Sequence, residues 1–240
     1  MTRAPIFNAA ARFETVRFSS GQTCLIIDDA LLEPERLVQF AVENGAAFSR
    51  VDFSYYPGIF LPVPDSVAAA LAEFFNIQVR RRFDARRMLH MHCRLSMVTL
   101  APRDLHPTQC LCHRDQPVLD AGHSIQASIL YLFRDPGLGG TSFYEPARPE
   151  EEIRRLSIDA QQLPPAEFFS TYAMEPRYLG ESNHWFTHVG RVPAKWNRAI
   201  FFDGYALHSG DIPQPQRLSA DPLTGRLTFN GFFTSRRHLR

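Results

Sequence analysis

The sequence has no strong excess of charge of either sign. Its 26 basic and 25 acidic residues leave a formal net charge of +1 at pH 7. A chain this close to neutrality has no general electrostatic attraction for nucleic acid or for an anionic membrane surface. Two basic clusters, at residues 80–82 and 236–237, are more typical of a solvated helix face or a tail. We therefore expect neither nucleic acid nor a membrane as a partner.

Long apolar runs are also missing. Without a run of about 18 apolar residues, no membrane-spanning helix is predicted. Residues 1–12 lack the apolar core of a signal peptide. The 4 cysteines need not form a disulfide framework in a chain of this length. Together these absences predict a reduced protein of the cytoplasm.

Aromatic residues and prolines, by contrast, are abundant. The 20 phenylalanines and 18 prolines favour short strands and irregular loops over a helix bundle. The chain is long enough for one sizeable core and shows neither an internal repeat nor an interdomain linker. We predict one domain over residues 1–240. Residues 1–87 would form an N-terminal arm, a strand and supporting helices, and residues 88–234 the core, with an insertion at about 147–183.

The part of the chain before residue 88 mixes strand and helix signals. Residues 1–20 are predicted to be a loosely held arm, followed by a buried strand at 23–29. Apolar residues at helical spacing predict helices over 33–44 and from 64 to about 75. Tyr55 to Gly58 is a turn signal.

From residue 88 onward, strands alternate with turn residues. Strand composition is found at residues 88–100, 124–133, 141–144, 185–192, 198–203 and 226–233. A turn at 193–197 would join its two neighbouring strands into a hairpin. Residues 147–183 are polar and irregular, which is typical of an insertion or lid, with a helix at 150–156. Strands preceded by helices favour a β-sandwich or barrel with helices on one side.

The chemistry is predicted to centre on His113 and Asp115. They stand two residues apart on a short extended segment and therefore share one face. With a second, distant histidine they can form the facial triad of non-haem Fe(II), which leaves cis positions open. His208 is the best third member, because it follows the apolar run 199–202 by one short turn, whereas His123 and His188 follow no such strand. On this interpretation Arg114 is a bystander between two ligands.

Each of these residues also has a simpler, non-catalytic interpretation. His113 and Asp115 can be an ordinary acid and base on a surface turn, and His208 a loop histidine. His90 and His92 are a rival metal pair, but no carboxylate follows a few residues downstream. Cys110-x-Cys112 can suggest zinc, yet no second cysteine pair follows at a finger or ribbon spacing. We expect Cys112 to be a small apolar residue of the core.

An ordered series of motifs resembles the Fe(II)/2-oxoglutarate-dependent dioxygenases, and is most similar to their prolyl-4-hydroxylase-like branch. The resemblance covers roughly residues 88 to 234. Its parts are His113-x-Asp115, a strand with Tyr131, Gly139-Gly140 leading into a strand, the run 197–202 ahead of His208, and Arg226 on the last strand.

The resemblance implies a mostly β protein with flanking helices around a double-stranded β-helix, or jelly-roll, core. It implies that Fe(II) is ligated by His113, Asp115 and His208, which we call the triad. The co-substrate 2-oxoglutarate would be held through its distal carboxylate by Arg226, since a planar guanidinium binds a carboxylate bidentately. Thr228 shares the face of Arg226 and can add a hydrogen bond.

Further details of the co-substrate site follow from the same resemblance. Tyr131 can contact the same carboxylate. The spacing from His208 to Arg226 is longer than expected for the family, and Arg217 in the intervening loop is a rival anchor. We favour Arg226, because a buried strand holds a guanidinium rigidly.

The implied function is an oxygenase that hydroxylates or otherwise oxidises a C–H bond of a peptidyl, amino-acid or other small substrate. Retention of Asp115 argues against halogenation. Two alternatives stay open: a non-catalytic jelly-roll binding module, and a metal enzyme that uses no 2-oxoacid. The sequence leaves the oligomeric state open, a homodimer being one option.

Overall fold

The protein is described by a computed structural model that covers residues 6–50, 55–115 and 120–238. The strands in these ranges are β1 Phe13–Arg17, β2 Thr23–Ile27, β3 Gly58–Pro62, β4 Arg87–Val98, β5 His123–Tyr131, β6 Thr141–Pro146, β7 Phe186–Val192, β8 Arg198–Asp203, β9 Leu207–Gly210 and β10 Arg226–Arg236. The α-helices are α1 Glu35–Glu43, α2 Asp65–Phe74, α3 Glu150–Gln162 and α4 Pro165–Thr171. No helix in the described ranges is long and apolar enough to cross a membrane.

The strands form two antiparallel sheets. The larger sheet has seven strands in the order β1-β2-β8-β5-β10-β4-β3, and the smaller has three in the order β7-β6-β9. An apolar cluster packs between them, with Phe143 of β6 and Val192 of β7 against Ile200 and Phe202 of β8. The rings of Phe143 and Phe202 meet edge to face with their centroids 5.2 Å apart. The predicted fold class, mostly β with flanking helices around a jelly-roll core, is confirmed.

The outer face of the larger sheet is covered by α1 and α2. Leu37 and Ala41, one turn apart on α1, are buried, as are Leu71 and Phe74 on α2. They pack in one cluster with sheet residues such as Phe229 of β10. Because side chains alternate along a strand, the neighbours of Phe229 on β10 point the other way, toward the smaller sheet. This alternation places the polar residues of β10 inside the molecule.

The predicted insertion contains α3 and α4, which pack against the outer face of the smaller sheet. Ile153 and Leu156 of α3 and Phe168 of α4 share a cluster with Tyr144 of β6 and Leu207 of β9. Tyr144 and Leu207 point away from the larger sheet, opposite to their neighbours Phe143 and His208. The helix predicted at 150–156 is present and continues to Gln162. The insertion thus supports the smaller sheet from behind.

Two local predictions are wrong. Part of the predicted loose arm forms β1, which pairs with β2 along its whole length. Strands β7 and β8 form no hairpin, since β7 pairs with β6 in the smaller sheet and β8 with β2 and β5 in the larger.

In the connection between β7 and β8, Asn197 contacts Leu31 in the N-terminal part of the chain. Asn197 has a φ of 59°, a left-handed conformation that asparagine adopts more easily than most residues. Its side-chain amide accepts a hydrogen bond from Leu31 N and donates one to Leu31 O, both at 2.9 Å. Strands β1, β2 and β3, all before residue 88, join the larger sheet. The division of the chain at residue 87 stays a prediction.

Candidate metal centre

The segment that carries His113 lies beside strand β9. His113 N donates to His208 O at 2.9 Å, and His208 N donates to His113 O at 3.0 Å. This exchange of two hydrogen bonds makes the two residues directly opposite partners of an antiparallel bridge. Their imidazole rings therefore lie side by side, with centroids 4.5 Å apart. Backbone pairing thus places two histidines, distant in sequence, at one point.

Asp115 is held beside the same pair by the turn after β8. Its backbone N donates to Gly204 O at 2.8 Å. Its Oδ1 lies 3.8 Å from His113 Nε2 and 3.7 Å from His208 Nε2. One possible ligand atom from each of the three residues lies within 4.8 Å of the other two. The structure therefore brings the predicted triad together in a group that could hold a metal ion.

The orientation of His208 is set by its surroundings. Its Nδ1 lies 2.9 Å from Ala206 O, and because a carbonyl oxygen can only accept, Nδ1 carries the proton. Nε2 is then an unprotonated acceptor facing Asp115. The ring also packs edge-on against Phe202, with centroids 4.6 Å apart. A histidine whose second nitrogen is held in this way is preset in the tautomer that a metal ligand needs.

Burial shifts the charges of the triad. It raises the pKa of Asp115 to about 6, although His113 and Arg94 pull that pKa down in part. Burial also lowers the pKa of His208 to about 4. The pKa of His113 is lowered in the same direction by lost solvation and by the nearby His208, even though 58% of its side chain is exposed. Both imidazoles are therefore neutral at physiological pH.

One atom of the triad has no partner. Asp115 Oδ2 is buried without a hydrogen bond from any residue that the structure describes. A buried carboxylate oxygen without a partner is costly. Two neutral imidazoles and one carboxylate are a donor set typical of non-haem iron, and a cation among them would satisfy the unpaired oxygen. The residues present fit a divalent metal ion.

The residues predicted to hold 2-oxoglutarate lie on adjacent strands of the larger sheet. Thr228 of β10 is paired directly with Tyr131 of β5. Arg226 is only 4% exposed, and its Nε and one terminal nitrogen donate to Leu138 O at 2.9 Å and Gly140 O at 2.6 Å. Arg226, Thr228 and Tyr131 therefore share the inward face of the sheet.

The rival anchor Arg217 is placed differently. It belongs to a short 3₁₀ turn, its side chain is 50% exposed, and its guanidinium pairs with the Asp135 carboxylate at 2.7 Å. Its positive charge is already balanced at the surface. The contrast favours Arg226 as the cation available inside the molecule.

Arg114, predicted to be a bystander between two ligands, makes structural contacts of its own. One of its terminal nitrogens donates to Glu150 Oε1 at 2.8 Å. Its guanidinium carbon lies 4.7 Å from the ring centre of Tyr205, in the turn before β9. Arg114 thus links the ligand segment to the start of α3 and to the turn that carries Gly204. No local pattern indicates this role, because Glu150 is 36 residues away.

The rival metal pairs are accounted for by packing. Cys110 and Cys112 are buried free thiols, and Cys112 packs in the cluster beneath α3 and α4, as predicted. His92 lies on β4 and stacks on Phe232, with ring centroids 4.7 Å apart. Within the described ranges, neither pair belongs to a group of three or more possible metal ligands.

Fold and site together define a jelly-roll protein in which two histidines and one carboxylate form a group that could hold a metal ion. The chain belongs to the family of unknown function DUF6445, whose model matches residues 9–233. No curated protein matches this sequence.

Solved structures that resemble this fold include enzymes that use 2-oxoglutarate. The non-haem alpha-ketoglutarate-dependent epimerase SnoN of nogalamycin biosynthesis is 11% identical, with a TM-score of 0.49 over 90% of this chain and 81% of its own. A prolyl-4-hydroxylase from Pseudomonas putida is 12% identical, with a TM-score of 0.43 over 96% and 95%. HygX from Streptomyces hygroscopicus, with nickel and 2-oxoglutarate bound, is 12% identical, with a TM-score of 0.44 over 90% and 83%. At these identities the likeness concerns the fold alone.

Proposed function

We propose that the protein is an Fe(II)- and 2-oxoglutarate-dependent oxygenase that hydroxylates or otherwise oxidises a C–H bond of a peptidyl, amino-acid or other small substrate. The observation that carries this proposal is the convergence of His113, Asp115 and His208 within 4.8 Å, as two neutral imidazoles beside one carboxylate. The unpaired Asp115 Oδ2 supports a cation at that point.

The triad would hold the metal, and a separate hydrogen-bond contact fixes the position or tautomer of each of its members. The backbone bridge holds His113 and His208 side by side, Ala206 O fixes the tautomer of His208, and Gly204 O holds the Asp115 backbone. When bound, Fe(II) with 2-oxoglutarate supplies oxidation by dioxygen, coupled to decarboxylation of the 2-oxoacid. Three protein ligands leave coordination positions open for 2-oxoglutarate and for dioxygen.

Arg226 would bind the distal carboxylate of 2-oxoglutarate. A guanidinium has five N–H donors, and the two backbone carbonyls that hold Arg226 use only part of them. The rest can serve a carboxylate, with the guanidinium kept rigid. Thr228, two residues after Arg226 on β10, and its cross-strand partner Tyr131 lie on the same face of the sheet. The apolar cluster around Phe143 and Phe202 would keep water from the metal side.

An anaerobic titration tests the proposal. Fe(II) and 2-oxoglutarate together should give a weak metal-to-ligand absorption band with the wild-type protein, and Asp115→Ala should abolish it. Asp104→Ala, which removes an exposed carboxylate of a 3₁₀ turn, should leave the band unchanged.

Two results would point elsewhere. Absence of the band, together with iron binding no stronger than that of Asp115→Ala, would favour the non-catalytic binding module. Iron binding without formation of succinate in air would favour a metal enzyme that uses no 2-oxoacid.

A further inference from the structure

Arg94 stands on the same inward face as the predicted co-substrate residues. In the ladder between β4 and β10 it is paired with Asn230, and Ser96 is paired with Thr228. Because alternate residues of a strand share a face, Arg94 and Ser96 point to the side of the sheet that Thr228 and Tyr131 occupy. The space they face is the one between the two sheets. A second arginine is therefore directed into the interior of the jelly roll.

The guanidinium of Arg94 pairs with no carboxylate of the residues that the structure describes. Its central carbon lies 3.7 Å from the ring centre of Phe60 and 5.6 Å from that of Phe232. Its Nε is buried and donates no hydrogen bond among residues 6–50, 55–115 and 120–238, where Arg94 also forms no ion pair. A partly buried cation with an unsatisfied N–H is unfavourable unless an anion reaches it. This arrangement is suited to a ligand.

Arg94 acts electrostatically on the triad. Burial lowers the pKa of Arg94, while Tyr56 and Asp115 raise it. When a divalent ion occupies the triad, the Asp115 charge is balanced by that ion. The positive charge of Arg94 is then left for an anion that comes with another molecule.

The two inward arginines are attached at well-separated backbone positions. Arg226 and the Arg94 partner Asn230 are four residues apart on β10, which at 3.3 to 3.4 Å per residue is about 13 Å along the strand. The two side chains therefore start from different places on the sheet. The guanidinium lies against the Phe60 ring, and a planar guanidinium can bind a carboxylate bidentately.

We infer that Arg94 is a substrate-binding residue, and that the substrate is a small organic molecule with a carboxylate that pairs with Arg94. The aromatic rings of Phe60 and Phe232 form the apolar flanks of this subsite. The inference rests on the proposed function, because it assigns 2-oxoglutarate to Arg226 and so leaves Arg94 to the second reactant.

The test is calorimetric titration of the protein loaded with Zn²⁺ and saturating 2-oxoglutarate. The probes are free amino acids and simple mono- and dicarboxylic acids, each beside its primary amide. At least one acid should bind, and its amide should bind at least about tenfold more weakly, as expected for loss of a charge-assisted hydrogen bond. Arg94→Gln should lower the affinity for the acid to that for its amide, and Arg94→Lys should retain part of the affinity for the acid.

Two measurements separate this inference from its alternatives. Arg103→Gln, which removes an arginine with an 87% exposed side chain, should bind the acid like wild type. The 2-oxoglutarate affinity of Arg94→Gln should stay within about twofold of wild type, while Arg226→Gln should lose it.

Several outcomes would overturn the inference. These are no binding by any acid, equal binding of acid and amide, wild-type acid binding by Arg94→Gln, or a tenfold loss of 2-oxoglutarate affinity in that variant. Each leaves the proposed function standing if the wild-type protein still binds iron and 2-oxoglutarate. Failure of that binding would instead contradict the proposed function.

Discussion

At the scale of single residues, the candidate site depends on neighbours that carry no metal-binding chemistry. Gly204 accepts the Asp115 N–H, and Ala206 accepts the His208 Nδ1–H. Such contacts orient ligands and are worth as much as 10- to 100-fold in metal affinity in other metal sites. At Gly204 the absence of a side chain also matters, because Asp115 Oδ2 lies close to the place that a Cβ would take.

Gly204→Ala should weaken metal binding by about tenfold. A Cβ at this position would lie 3.0 Å from Asp115 Oδ2 and 3.0 Å from Ile125 Cγ2, so the carboxylate would have to move. Zn²⁺ affinity, measured by competition with a chromogenic chelator, checks this. Gly45→Ala is the control, because nothing lies within 4 Å of its added Cβ. Equal affinities of the two variants would show that Asp115 tolerates the displacement.

Metal affinity should depend on pH through Asp115. A metal binds the ionised carboxylate and neutral imidazoles, and the pKa of metal-free Asp115 is raised to about 6 while that of His208 is lowered to about 4. Zn²⁺ affinity should therefore be level above pH 6. Between pH 6 and 5 it should fall toward a tenfold decrease per pH unit as Asp115 takes up a proton. An affinity that changes mainly between pH 6 and 7 would instead indicate histidine protonation near its ordinary pKa.

At the scale of elements, the insertion and the ligand segment are joined by Arg114. The guanidinium pairs with Glu150 at the start of α3 and lies over the ring of Tyr205. Among the described residues, the ligand segment, residues 111–115, has the isolated bridge to β9 as its one sheet pairing. A side-chain link to two other elements therefore restricts where His113 and Asp115 can move.

Arg114→Met should lower the free energy of unfolding by about 0.5–1 kcal/mol, the upper range for a partly exposed ion pair. It should also speed amide exchange at residues 111–115 and at the start of α3, because both lose a common partner. Hydrogen exchange followed by mass spectrometry checks both segments. Arg154→Met breaks an exposed pair with Glu151 within α3. It should leave amide exchange unchanged in both segments. Faster exchange confined to α3 would argue against a link to the ligand segment.

At the scale of the whole molecule, the triad joins two parts of the chain. His113 and Asp115 come from the segment between β4 and β5, and His208 comes from β9 in the smaller sheet. Among the described residues these three form one compact group around an unpaired carboxylate oxygen. An ion at this point would act as a cross-link present only in the folded state.

Zn²⁺ should therefore raise the unfolding temperature. At a free concentration of 100 times Kd, ligation of the folded state alone adds about 2.7 kcal/mol, or about 5 °C for a chain of this size. Differential scanning fluorimetry checks this. His208→Ala should lose the increase, and His90→Ala, on an exposed part of β4, should keep it. An equal increase in the His208→Ala protein would mean that the ion binds elsewhere.

Many of the strands and helices were predictable because the local periodicity of apolar residues indicates them. The alternation of residues 88–100 and 124–133 predicted strands β4 and β5 to within a few residues, and helical spacing predicted α1 and α2. The hairpin at 193–197 was wrong, because strand composition says nothing about which sheet a strand joins. Asn197 finds its partner Leu31 at a sequence separation of 166, and no local pattern contains that contact.

The sequence by itself determined the chemistry available: His113 and Asp115 on one face of a short segment, His208 after a buried strand, and Arg226 and Thr228 at strand spacing. Residue type and period are local properties, so they can be predicted from the chain alone. The tertiary structure decided which of these groups meet. It brought the triad together through one backbone bridge and balanced Arg217 with Asp135, and among the described residues it left Arg94 Nε without a hydrogen-bond partner. Convergence depends on strand order and register, which are set by the packing of distant segments.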